Sequence, residues 1–134
     1  MKHQYYMNML AKLASSNVKI AGARIAACVV HKKTIVSFGV NQMKSHPFQA
    51  KYGVHVHSDA IFLHAETAAI KNALRCLSIE ELSECSLYVC RVKMIKGKFI
   101  WGLAKPCIGC SRAIAEFEIK NVIYSNENNV LEYF

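Results

Sequence analysis

Apolar residues recur along this chain at two periods. Tyr6, Met9, Leu10 and Leu13 return at helical spacing, which predicts a helix over roughly residues 2–16 with one apolar face. Residues 24–31 (RIAACVVH) and 34–41 (TIVSFGVN) are apolar runs joined by Lys32-Lys33, the pattern of an antiparallel hairpin. Residues 42–63 contain Pro47 and Gly53 and have no clean period. They read as a long loop, which inside a compact domain is usually functional. Residues 64–77 (HAETAAIKNALRCL) predict a buried helix through Ala69, Ala73, Leu74 and Leu77. Residues 87–92 (LYVCRV) predict a strand, paired across Lys96-Gly97-Lys98 with Phe99–Leu103. A helix follows over 107–117 and a strand over 121–125. Only Ser-Asn-Glu-Asn-Asn then precedes Val130, too short for a helical crossover, so a strand over 130–134 returns antiparallel. This order argues for an α/β fold, a sheet covered by helices, with residues 1–134 as a single domain and no internal repeat.

Composition narrows the class. With 53% hydrophobic and 19% charged residues in 134, a packed core is expected and disorder is not. No apolar run approaches the roughly 18 residues of a membrane span, and the opening MKHQYYMNMLAKL lacks a secretion signal, so a cytoplasmic protein with no membrane partner is expected. The six cysteines then read as reduced thiols or metal ligands, with Cys28, Cys76 and Cys90 as small core residues. Residues 1–58 carry eight basic residues and no acid, whereas residues 59–134 balance nine against nine. That one-sided excess either attracts anions, a nucleotide phosphate or a nucleic-acid backbone, or forms a solvated face.

Chemistry concentrates in His64-Ala65-Glu66 and Pro106-Cys107-Ile108-Gly109-Cys110. Two thiolates three residues apart in the first turn of a helix point the same way and can grip one zinc ion, favoured by the helix dipole. His64, at the start of another helix, supplies a third, neutral ligand. Three protein ligands leave the fourth position for water, the pattern of a catalytic zinc. Glu66 projects from the same helix start without ligating, placed to move a proton between that water and a leaving amine. H-x-E with P-C-x-x-C is the signature of zinc deaminases.

On these residues the chain resembles the cytidine and deoxycytidylate deaminase superfamily over most of its length. The resemblance implies a three-layer α/β/α sandwich with a mixed sheet of about five strands, an antiparallel first hairpin and antiparallel last strands. It implies His64, Cys107 and Cys110 as zinc ligands and Glu66 as the proton shuttle. It also implies that the backbone amides of Ala65 and Cys107 hold the base, and that Asn41, at the end of the second strand, contacts sugar or base. Asn41 alternatively reads as a strand-ending turn residue. Phe48, Phe62 and Trp101 are candidates for stacking on a base, or else core or interface residues. His55 and His57 alternate with valines and offer either a second metal site or a polar loop.

Three features differ from the family's common pattern: FGVNQ stands where deoxycytidylate deaminases carry a G-Y-N-G-like run, Lys105 precedes the Pro, and residues 91–105 form a long basic insertion. Deoxycytidylate, tRNA adenosine and polynucleotide deaminases place a helix between the last core strands, so the short 125–129 link resembles free-nucleoside enzymes more closely. The leading expectation is therefore a zinc-dependent deaminase of a free nucleoside or mononucleotide, self-associating as a dimer or tetramer as the resemblance implies. The alternatives are a deaminase of cytosine or adenine in single-stranded nucleic acid and an inactive zinc domain that binds nucleic acid or a partner.

Overall fold

A computed structural model describes residues 2–17, 22–44, 46–53, 63–128 and 131–133. The candidates His55, His57 and Phe62 lie outside the described residues. The elements are α1 (Lys2–Ser15), β1 (Arg24–His31), β2 (Thr34–Val40), α2 (Pro47–Tyr52), α3 (Ala65–Ala73), α4 (Ile79–Leu82), β3 (Ser86–Ile95), β4 (Lys98–Gly102), α5 (Ile108–Glu116), β5 (Asn121–Ser125) and β6 (Leu131–Tyr133).

The first hairpin is tight because Lys32 and Lys33 both take positive φ, 50° and 69°, the backbone of a two-residue turn whose twist matches the flanking strands. The sheet runs β2-β1-β3-β5-β6. β3 and β5 are parallel and every other pair is antiparallel, including β5 with β6, as the short link required. The sheet has six strands rather than about five because β4 lies off this path, beside the outer end of β3. Ser125, fully buried at the end of β5, joins the two: its hydroxyl donates to Gly102 O and accepts from Arg91 N.

Strand alternation divides the core into two layers. On one face α1 buries Tyr6, Met7, Leu10 and Ala14 against Ala26, Cys28, Tyr88, Cys90, Val92 and Ile123. Met9 and Leu13, expected at the centre of that stripe, are only partly buried, because the face is rotated toward Met7 and Ala14. On the other face α2, α3, α4 and α5 cover Ala27, Val29, Leu87, Val89, Val122 and Tyr124. The result is the expected three-layer α/β/α arrangement. Each fully buried large side chain, such as Met7, Leu10 or Leu87, contributes about 1.5–3 kcal/mol of transfer free energy. Cys28 and Cys90 are core residues as expected, but Cys76 is exposed, since it falls in the turn after α3.

Two helices depart from the sequence expectation. The supposed loop 42–63 contains α2, started by His46, whose Nδ1 accepts from Phe48 N, and by Pro47 in the first turn. α4 is a single turn held by a capping box between Ser78 and Glu81.

Candidate metal centre

The N-termini of α3 and α5 bring the predicted chemistry together. His64 is the N-cap residue of α3 and Cys107 that of α5, so both helices aim their positive ends at one place. His64 Nδ1 lies 3.4 Å from Cys107 Sγ and 3.4 Å from Cys110 Sγ, and the three ligand atoms all fall within 4.8 Å of one another. Two sulfurs at about 2.3 Å and an imidazole nitrogen at about 2.0 Å from a tetrahedral centre lie about 3.5–3.8 Å apart. The donor set and its spacing therefore fit a zinc ion, with one coordination position left over. It is the one such group among the described residues.

Electrostatics separate these thiols from the rest. Burial alone pushes Cys28 and Cys90 up to about 12, which makes them inert. Cys107 is instead drawn down to about 3, chiefly because Cys110 donates to it and also because His64 and the Cys110 amide do. Cys110 is correspondingly raised, chiefly by the hydrogen bond it donates to Cys107 and also by burial. Glu66 is 5% exposed, and burial raises its carboxyl above the usual range despite the pull of His64.

α3 is fixed to β2 at short range. Ser37 Oγ donates to Ala69 O at 2.7 Å, and Asn72 Nδ2 donates to Phe38 O at 2.8 Å. Between them Gly39 lets the two backbones meet: a Cβ there would sit 2.3 Å from Ala65 O and 2.4 Å from Ala69 N. The unanticipated α2 braces both ligand-bearing helices. Gln49, fully buried, accepts at Oε1 from His64 N (3.1 Å) and from the Thr67 hydroxyl. Its Nε2 finds no oxygen or nitrogen acceptor and lies beside Cys110, whose thiolate it favours. Tyr52 O accepts from Arg112 Nη1 of α5 at 2.9 Å. Gln49 was not singled out from the sequence; Pro47 after a capping residue was the signal for the helix that carries it.

The substrate-contact candidates scatter. Ala65 is fully buried at the first position of α3, beside the ligand group. Asn41 directly follows β2, and its side chain bonds the backbone at the start of β1: Oδ1 accepts from Ile25 N (2.9 Å) and Nδ2 donates to Ala23 O (3.3 Å). Phe48 packs on Tyr52 and Phe117 in the helical layer, with centroids 5.5 and 6.2 Å away, and so serves as core. Trp101 corrects the expectation most sharply. Opposite Val92 on β4, it packs into the α1 layer, across the sheet from α3 and α5.

The sequence pattern of the cytidine and deoxycytidylate deaminase zinc-binding region matches residues 1–126. No curated protein sequence gives a significant match. Among solved structures, a cytidine deaminase from Burkholderia pseudomallei superposes with a TM-score of 0.64 at 18% identity, covering 97% of this chain and 90% of that one. A dCMP deaminase from the cyanophage S-TIM5 superposes in its apo form with a TM-score of 0.54 at 21% identity, over 95% and 82% of the two chains. The same phage enzyme with dCMP and dUMP gives 0.57 at 24% identity, over 92% and 79%. These likenesses agree with the three-layer fold and with zinc as the metal of the His64, Cys107 and Cys110 group.

Proposed function

Because the chain belongs to the cytidine and deoxycytidylate deaminase family, we propose that it hydrolyses the exocyclic amine of a cytosine-type base in a free nucleoside or mononucleotide. The products are the corresponding uracil compound and ammonia. The observation that carries this reading is the placement of Glu66: a buried carboxyl two residues after His64, beside the Cys107–Cys110 pair but outside the three ligand atoms.

His64, Cys107 and Cys110 hold the zinc, which when bound supplies the Lewis acid that makes water nucleophilic at neutral pH. Glu66 accepts a proton from the attacking water as its oxygen bonds to the ring carbon that bears the amine. Glu66 passes that proton to the adjacent ring nitrogen, which takes the electron pair of the opened ring double bond; it then carries the remaining hydroxyl proton to the amine nitrogen, the exocyclic carbon–nitrogen bond breaks, and ammonia leaves as the ring carbon becomes a carbonyl. The amides of Ala65 and Cys107, at the helix starts, help to hold the base near the metal in this reading. Gln49 keeps His64 and Cys110 in register through the reaction.

Two observations support a small pyrimidine substrate. β6 returns antiparallel on β5, the ending associated with free-nucleoside enzymes. The cyanophage dCMP deaminase, similar in fold, is described in complex with dCMP and dUMP. Glu66→Gln keeps the shape and removes the proton carrier, so ammonia release should fall at least about 10²-fold while zinc content stays at one per chain. A Glu66→Gln protein that retains near-normal turnover defeats the assigned role.

A further inference from the structure

Across the sheet from the metal centre, α1 and the β3–β4 hairpin enclose a groove that the deaminase reading does not use. Two clefts of about 330 and 430 Å³ share Phe99 and Trp101 as their common wall. The opposite wall is one stripe of α1, in which Gln4, Asn8, Lys12 and Ser15 or Ser16 follow at four-residue spacing. Apart from Ala11, which also lines the larger cleft, this wall is polar and none of it is acidic. Phe99 is 37% exposed, and the Arg24 guanidinium lies over its ring at 5.2 Å. Neither α1 nor the β3–β4 hairpin contains Asp or Glu, and Lys96 and Lys98 extend the positive charge to the hairpin turn.

We propose that this groove binds single-stranded nucleic acid. Aromatic rings set beside a row of cations and amide or hydroxyl donors is the arrangement that stacks bases and tracks a phosphate backbone without reading sequence. Positive charge borders the clefts at Lys12, which lines the larger one, and at Arg24 over the Phe99 ring, with Lys96 at the hairpin turn beyond. A second copy of the chain is a poor occupant, because pairing this face with itself opposes lysine to lysine with no carboxylate to answer. The Phe99 and Trp101 rings of the insertion 91–105 thus find a use distinct from the chemistry at Glu66.

Trp101 is the sole tryptophan, so its emission reports on the groove directly. The probe is a fluorescein-labelled 15-residue oligothymidylate, whose bases carry no exocyclic amine and so give the metal centre nothing to deaminate. Binding should raise its anisotropy and quench Trp101. With about three phosphates neutralised, log affinity should fall with log salt at a slope of about −2. Phe99→Ala should weaken binding at least about tenfold, and Lys12→Glu, at an exposed position of α1 that cannot compromise the core, should weaken it too. Four results each overturn the proposal: no anisotropy change at low salt, binding without quenching of Trp101, binding indifferent to both variants, or equal quenching by thymidine monophosphate. So does sedimentation showing that the groove is closed by a second copy at working concentration.

Discussion

Replacing Gly39 by alanine tests how the metal centre is positioned, because the residue touches no ligand. The added Cβ would lie 2.3 Å from Ala65 O, 2.4 Å from Ala69 N and 2.8 Å from Ala68 Cβ. Ordinary contact begins near 3.4 Å, and two of the three partners are backbone atoms that no rotamer change can move aside. Relief therefore requires α3 to retreat from β2 by about 1 Å. That retreat stretches the Ser37–Ala69 and Asn72–Phe38 bonds and carries His64 and Glu66 with it. Metal–ligand distances tolerate only about 0.2 Å. Overpacking of this severity costs about 3 kcal/mol, which for a domain of this size lowers Tm by about 10 °C. Zinc affinity should fall at least about tenfold in a competition titration against a chromophoric chelator. A Gly39→Ala protein with unchanged Tm and unchanged zinc affinity would refute the claim that this close approach sets the ligand geometry.

Two further outcomes follow from the same geometry. Gln49→Ala leaves His64 N without its buried acceptor and the Thr67 hydroxyl with His64 O alone, so stability should drop by about 1–3 kcal/mol and zinc affinity about 10- to 100-fold; denaturant unfolding and the chelator titration measure both, and no change in either contradicts the bracing role. Stripping zinc with a strong chelator should lower Tm reversibly, because a metal held at about 1,000 times its Kd contributes about 4 kcal/mol; a Cys107→Ser protein should show little of that shift, and an equal shift in both would remove Cys107 from the ligand set.

Features set by local chemistry could be read from the sequence. The Lys32-Lys33 turn, the short link before β6 and the two helix starts bearing His64 and Cys107 each depend on a few adjacent residues, and each stands as expected. What escaped was short or depended on facing. α2 spans six residues, too few to establish a period, so Gln49 and its contact with both ligand-bearing helices stayed hidden. α4 had a readable Ser78-x-x-Glu81 signal in a single turn. Phe48 and Trp101 were plausible base-stacking residues because an aromatic side chain looks the same whichever layer it joins. For Trp101 the layer follows from pairing with Val92, whose side is fixed by the alternation from Tyr88 and Cys90. Asn41 follows the last residue of β2, and its amide bonds to the backbone at Ala23 and Ile25 depend on how β1 and β2 pair, which no local pattern around Asn41 fixes.

The central claim is hydrolytic removal of an amine at the His64, Glu66, Cys107 and Cys110 site. It is tested most directly by ammonia release from zinc-loaded protein offered cytidine, deoxycytidine and their monophosphates, with Glu66→Ala as the control. The account predicts stoichiometric ammonia and the matching uracil compound from at least one of the four, and neither from the control. Folded protein carrying one zinc per chain that releases no ammonia from any of them would contradict it.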